Sequence, residues 1–179
     1  IISIFPFERD WYAERFPNLP IHYVGDPMAT RFQHRLLSPP PRRRATDSTP
    51  LRIALLPGSR QQEIERHLPL MLESLTRIQA HRPAEATVVS PNEALVARYR
   101  ATKPANVIWK TGNLHQILEN CDIAIASSGT VTRECAYLRV PTVVVYQLSQ
   151  LTYEIAKRIV KVKYIAMPNL LANKMVYPE

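Results

Sequence analysis

From Leu51 onward, short apolar runs alternate with longer stretches in which apolar residues recur every three or four positions. The runs are Arg52–Leu56, Ala86–Val89, Val107–Trp109, Asp122–Ala126 and Thr142–Tyr146. None alternates cleanly between apolar and polar, the pattern of strands buried on both faces. Helix patterns lie between them. The clearest sets Ile64, Leu68, Met71, Leu75 and Ile78 at steps of four, three, four and three, one apolar helical face. Pro69 falls inside it and predicts a kink or a fresh segment there. Further helices are expected over Asn92–Arg100, Leu114–Asn120, Thr130–Leu138 and Leu151–Val162. Strict strand–helix alternation predicts a parallel sheet with right-handed crossovers, a doubly wound α/β fold. Ligands of such sheets bind beyond the carboxyl ends of the strands.

Upstream the pattern is different. Ile1–Phe5 and Ile21–Val24 read as strands, Arg9–Phe16 as a short helix, and Gly25-Asp26-Pro27 as a turn. Residues 1–36 therefore read as the end of a preceding domain. Residues 37–50 carry Pro39-Pro40-Pro41 and Arg42-Arg43-Arg44, and read as a linker or loop. Residues 51–179 form the α/β domain. The chain opens without Met inside a strand-like run, so an internal fragment is expected, cut within the second domain.

Composition changes the picture in two places. The 179 residues carry 23 basic and 15 acidic side chains, a net charge of +8, which favours anionic partners. Cys121 and Cys135 are the only cysteines and have no partner at metal-ligand spacing. Reduced, buried thiols are expected, and no metal site. No apolar run approaches the roughly 18–20 residues of a membrane-spanning helix. There is no Walker A sequence, no Gly-x-Gly-x-x-Gly and no Gly-x-Ser-x-Gly, which disfavours P-loop hydrolysis, dinucleotide redox chemistry and serine hydrolysis. Five scattered histidines have no acid–base partner evident in sequence.

Two loops carry the candidate chemistry. Leu55-Leu56-Pro57-Gly58-Ser59-Arg60 follows one strand pattern, and Ala126-Ser127-Ser128-Gly129-Thr130 follows another. Each opens a helix pattern. A diphosphate needs closely spaced N–H donors, room for the backbone and positive potential, and a glycine before a helix offers all three. Ser128, Gly129 and Thr130 fit that role. Gly58 and Ser59 lead to Arg60, whose guanidinium can clamp phosphate bidentately. Glu134, expected on the first turn after Thr130, can accept hydrogen bonds from ribose hydroxyls. Each feature also has a plainer reading. Ser-Gly-Thr is an ordinary helix start, Glu134 an acid matched to the helix dipole, and Arg60 a surface cation paired with Glu63 or Glu65.

At these residues the chain resembles the lipid-A-disaccharide synthase family, inverting glycosyltransferases of the two-domain GT-B type. The resemblance rests on Pro6-Phe7-Glu8, Tyr23-Val24-Gly25-Asp26-Pro27, the Pro57–Arg60 loop with Glu63-Ile64, and Ser128-Gly129-Thr130 with Glu134-Cys135. It continues through Ala156-Lys157-Arg158, Pro168-Asn169-Leu170-Leu171-Ala172 and Tyr177-Pro178-Glu179. It covers nearly the whole chain outside residues 37–50. It implies a Rossmann-like C-terminal half that binds a UDP-sugar. The donor would be UDP-diacylglucosamine and the acceptor diacylglucosamine 1-phosphate, with release of UDP and no metal or other cofactor. Gly58, Ser59 and Arg60 would face the phosphates or reacting sugar, with Arg60 catalytic. Ser128, Gly129 and Thr130 would hold the diphosphate, Glu134 the ribose, and Asn169 would help line the donor site. The catalytic base would lie in the N-terminal domain, leaving this fragment able to bind donor but not to turn over. A cytoplasmic enzyme, peripheral on the inner face of the bacterial inner membrane, is implied, with no nucleic-acid partner.

Some residues depart from the family pattern. Arg133, in Val131-Thr132-Arg133, brings a cation close to the second loop, and Asn173-Lys174-Met175 replaces a glycine-containing turn. The cations around Leu151–Lys163 suit either an anionic membrane surface or a helix packed on the sheet. Alternatives are another UDP-sugar enzyme of the same architecture, such as a muramyl-pathway transferase or a UDP-sugar 2-epimerase, or a basic nucleic-acid-binding module. The last rests on charge alone.

Overall fold

A computed structural model describes residues 1–38, 43, 46, 49–91, 93–100, 107–147 and 163–179. The expected Leu151–Val162 helix, with its cations, and most of the 37–50 segment lie outside the described residues. The chain divides into two compact units, Ile1–Pro40 and Pro41–Glu179.

In the first unit, β1 (Ile2–Ser3) leads to α1 (Pro6–Arg15), then β2 (His22–Tyr23) and α2 (Pro27–Leu37). The two strands pair in parallel, Ile2 opposite His22. The first strand is shorter than expected because Pro6 starts a helix, its fixed φ suiting the first helical turn. Glu8 reaches back to accept from the Phe5 N–H at 3.3 Å and from the Ser3 hydroxyl at 3.1 Å. Helix α2 is absent from the sequence-based expectation. Asp26-Pro27 reads as a turn, but here Asp26 is the N-cap, accepting from the Met28 N–H at 3.0 Å, with Pro27 in the first turn.

The second unit is a five-stranded parallel sheet. Its strands are β3 (Leu51–Leu56), β4 (Ala84–Val89), β5 (Val107–Lys110), β6 (Ile123–Ser127) and β7 (Thr142–Val145). Their order is β5-β4-β3-β6-β7, every pair parallel. Helices α3 (Gln61–Gln79), α4 (Glu93–Arg100), α5 (Leu114–Asn120) and α6 (Thr130–Tyr137) follow the first four strands, and α7 (Met167–Ala172) comes last. This is the doubly wound α/β class. Ile53, Ala54, Leu55 and Leu56 are all buried on consecutive positions of β3, as a central strand requires. Ile64, Leu68, Met71 and Leu75 of α3 are fully buried in the same core. Burying side chains of this size contributes about 1.5–3 kcal/mol each. That burial carries α3 through Pro69 as a single helix rather than two segments. Pro69 sits on the exposed side, where solvent can take the carbonyl it leaves unbonded.

The strand order contains a reversal. The chain runs outward from β3 to β4 and β5, then returns to lay β6 on the other side of β3. The first crossovers and the later ones diverge between β3 and β6, which opens a crevice at their carboxyl ends. At the opposite end of the same pair, Asp122 accepts from the Arg52 N–H at 2.8 Å and from its guanidinium at 3.1 Å. Arg43 lies 3.6 Å away on the same carboxylate. Burial opposes the Asp122 charge, but the Arg52 hydrogen bonds and the two guanidinium charges outweigh it and lower its pKa from the ordinary value. No described helix is long and apolar enough to cross a membrane.

Candidate functional site

Because Leu56 is in register with Ala126, the loops that leave β3 and β6 emerge side by side. Together with the ends of β4 and β5 they enclose a cleft of about 480 Å³. Gly58, Ser59, Arg60, Ser128, Gly129, Thr130 and Glu134 all line it, completed by residues such as Val89, Thr111 and Gly112. Loops about 70 residues apart in sequence thus share one surface.

The first loop is held from within. Gly58 has φ +116°, a conformation that favours glycine, and a Cβ there would collide with the Glu63 side chain. Glu63 folds back so that one carboxylate oxygen accepts from the Ser59 N–H at 3.0 Å and the Arg60 N–H at 3.3 Å. Its other oxygen meets the Arg60 guanidinium at 2.9 Å. Burial works against the Glu63 charge, yet these N–H groups and the guanidinium prevail and lower its pKa. Of the two acids near Arg60 in sequence, the ion pair selects Glu63, while Glu65 accepts from Gln61 at 2.9 Å.

His67, buried on α3, braces this loop. Its Nε2 accepts from the Gln147 N–H at 3.1 Å, so Nδ1 carries the proton and donates to the Pro57 carbonyl at 3.0 Å. The neutral ring therefore links the first loop to the residue pair that follows β7. An acceptor 10 residues away and a donor 80 residues away leave no signature in sequence.

The second loop has a different construction. Ser128 donates through its N–H to the Val145 carbonyl at 3.3 Å and through its hydroxyl to the Ile165 carbonyl at 2.9 Å. Gly129 is extended, and a Cβ on it would meet nothing within 4 Å. The backbone does not need glycine here, but its absence of side chain keeps the cleft open. Helix α6 begins at Thr130, so the N–H groups of Thr130 and Val131 have no acceptor within the helix. Their donors and the helix dipole favour an anion.

Glu134 lies beyond the first turn of α6, one turn deeper than expected, so a dipole-matching role at the helix start is not its placement. One of its oxygens meets His115 Nε2, from α5, at 2.6 Å. The other oxygen is left for a further donor. His115 has a partner after all, 19 residues away, at a distance in sequence where no motif joins them.

Two residues singled out in the sequence lie away from the cleft lining. Asn169 is fully buried and is not among the residues lining the cleft. Its amide donates to the Tyr177 carbonyl at 2.8 Å and the Glu179 carboxylate at 3.1 Å, and its oxygen accepts from the Val176 and Tyr177 N–H groups, each at 2.8 Å. Every hydrogen-bonding position is spent on holding residues 176–179. The Glu179 carboxylate in turn accepts from the Ile165 N–H at 3.1 Å and the Ala166 N–H at 2.7 Å. Arg133 is likewise buried on α6 and does not line the cleft. Asn173, in place of a glycine, adopts φ 48° at the end of α7, a left-handed cap that Asn tolerates.

Among the described residues, no group of three or more His, Cys, Asp or Glu could hold a metal ion. Cys121 and Cys135 are buried, and burial pushes the Cys135 thiol up to about 12. The cleft's polar chemistry is that of hydrogen-bond donors, one exposed guanidinium and two carboxylates, Glu63 held by the first loop and Glu134 braced by His115.

A family profile described as Lipid-A-disaccharide synthetase matches residues 1–179. Lipid-A-disaccharide synthase of Thiobacillus denitrificans is 35% identical over 187 residues, covering 100% of this chain and 49% of that protein. The Azotobacter vinelandii protein of the same name is 33% identical, with 100% and 49% covered. Lipid-A-disaccharide synthase 1 of Legionella pneumophila is 35% identical, with 98% and 47% covered. The chain spans about half the length of these curated relatives. Among solved structures, the citrinin polyketide synthase CMeT domain overlays 70% of this chain and 35% of its own at 20% identity and a TM-score of 0.42, too loose a likeness to bear on fold or function. The whole-chain family match is decisive: the chain belongs to the lipid-A-disaccharide synthetase family.

Proposed function

We propose that this chain forms the donor side of a glycosyltransferase that joins two acylated glucosamines in lipid A assembly. UDP-diacylglucosamine would be the donor and diacylglucosamine 1-phosphate the acceptor. The acceptor hydroxyl attacks the anomeric carbon, the bond to the diphosphate breaks, and UDP leaves. The diphosphate then carries the developing negative charge. Arg60 and the N–H groups at the start of α6 are suited to stabilise it, and Ser128, Gly129 and Thr130 to seat it. The free oxygen of Glu134 is suited to accept from ribose hydroxyls. The base that takes the acceptor proton is assigned to the part of the protein upstream of this chain. The acylated substrates call for contact with a membrane surface, and a net charge of +8 suits an anionic one on the cytoplasmic side.

One observation carries this reading: the two loops leave adjacent strands at the sheet's reversal and line one cleft. Calorimetric titration of the chain with UDP tests it. Binding is expected, and Arg60→Ala or Glu134→Ala should each weaken it by tenfold or more, about 1.5–3 kcal/mol for a hydrogen bond to a charged group. A folded chain that takes up no UDP would overturn the assignment.

A further inference from the structure

The first loop already holds an anion, and that anion belongs to the protein. The Glu63 carboxylate receives the N–H groups of Ser59 and Arg60 and pairs with the Arg60 guanidinium. Those are the donors a phosphate at this loop would use. Gly58 is what lets the carboxylate approach so closely. Glu63 also lines the cleft itself. We propose that Glu63 is an internal counter-anion of the first loop, which sets the affinity for phosphorylated ligands by competing with them for Arg60.

The two halves of the interaction differ in permanence. The oxygen on the backbone N–H groups lies against Gly58 and shapes the loop through two bonds. The oxygen on the guanidinium faces a side chain that is 82% exposed. Exposed ion pairs contribute little, so exchanging this one is easy. A ligand phosphate entering the cleft can take the guanidinium while Glu63 keeps the backbone. Glu65 is not a replacement partner for Arg60, because it is engaged with Gln61. Glu63 is thus a positioning residue: it parks Arg60 when the cleft is empty and yields it to a diphosphate.

The proposal rests on the anion-binding reading of the cleft, and Glu63→Gln separates it from that reading. The amide oxygen can still accept from both backbone N–H groups, but the charge that competes for Arg60 is gone. Affinity for UDP and for inorganic pyrophosphate should rise about two- to fivefold, the scale of an exposed ion pair. Uridine, which has no phosphate, should bind Glu63→Gln and the parent chain alike. In an Arg60→Ala background the gain should vanish. A folded Glu63→Gln chain with unchanged or weaker UDP and pyrophosphate binding would overturn the proposal. So would an equal gain for uridine, a gain that survives Arg60→Ala, or no binding of either phosphate probe by either chain. If the parent ignores UDP yet the pyrophosphate gain appears, the competition stands and the uridine-nucleotide reading fails.

Discussion

Gly58 and Gly129 look alike in sequence, each sitting between a strand and a helix, but they do different work. Gly58 has positive φ and Glu63 packed where a side chain would go, whereas Gly129 is extended with open space beside it. Gly58→Ala should therefore cost about 1–3 kcal/mol of stability through backbone strain, with further loss from the displaced Glu63. Gly129→Ala should melt like the parent chain yet bind UDP roughly tenfold more weakly, about 1.4 kcal/mol, because the methyl intrudes on the ligand's room. Paired melting curves and titrations check both. At this scale the sequence singles out the two loops that line the cleft, since glycine, hydroxyl and guanidinium cluster there. It does not show what steadies them. Glu63 is visible only as an ion-pair candidate, and His115 and His67 make their contacts across 19 and 80 residues. Asn169 shows the same limit. Its motif marks a residue with a demanding environment, and the buried hydrogen-bond clasp around it is not legible from the motif.

At the scale of elements, the strands of the second unit and most of its helices are legible because burial on one or both faces imposes its own period. Helix α2 escapes because Asp-Pro serves equally as a turn and as a helix start, and only the following residues decide. The pairing of β3 with β6 is not legible at all. It is a choice among parallel neighbours, fixed by packing and here fastened by Asp122 and Arg52. That fastening is pH-dependent. A carboxylate whose folded-state pKa is lowered contributes its full stability above the ordinary value of 3.8. The contribution is lost as pH falls below that value toward the lowered one. Asp122→Asn should thus be less stable than the parent chain at pH 7, and the gap should shrink below pH 3.8. Urea midpoints measured across pH 2.5–7 check it, and a gap that widens on acidification would contradict the assignment.

For the molecule as a whole, alternation of strand and helix suffices to name the fold class, but the proposed site depends on one consequence of strand order. The reversal between β3 and β6 brings two separate loops to a common surface, and the family match across residues 1–179 then says which chemistry to test there. The long-range ties also reach beyond the sheet. Glu179 accepts from the Ile165 N–H, and the carbonyl of Ile165 accepts from the Ser128 hydroxyl. A single residue therefore transmits the position of the last few residues to the second loop. Glu179→Ala removes no group that lines the cleft, yet it releases the Ile165 N–H and with it the support of the serine. The variant should still fold, because Tyr177 and Pro178 keep their bonds to Val140 and Val144, with UDP affinity reduced several-fold, about 1 kcal/mol for one weakened hydrogen bond, and titration beside a circular-dichroism melt checks this. In engineering terms, residues 176–179 act as a tensioner: how firmly they are clasped sets how firmly a distant loop is held.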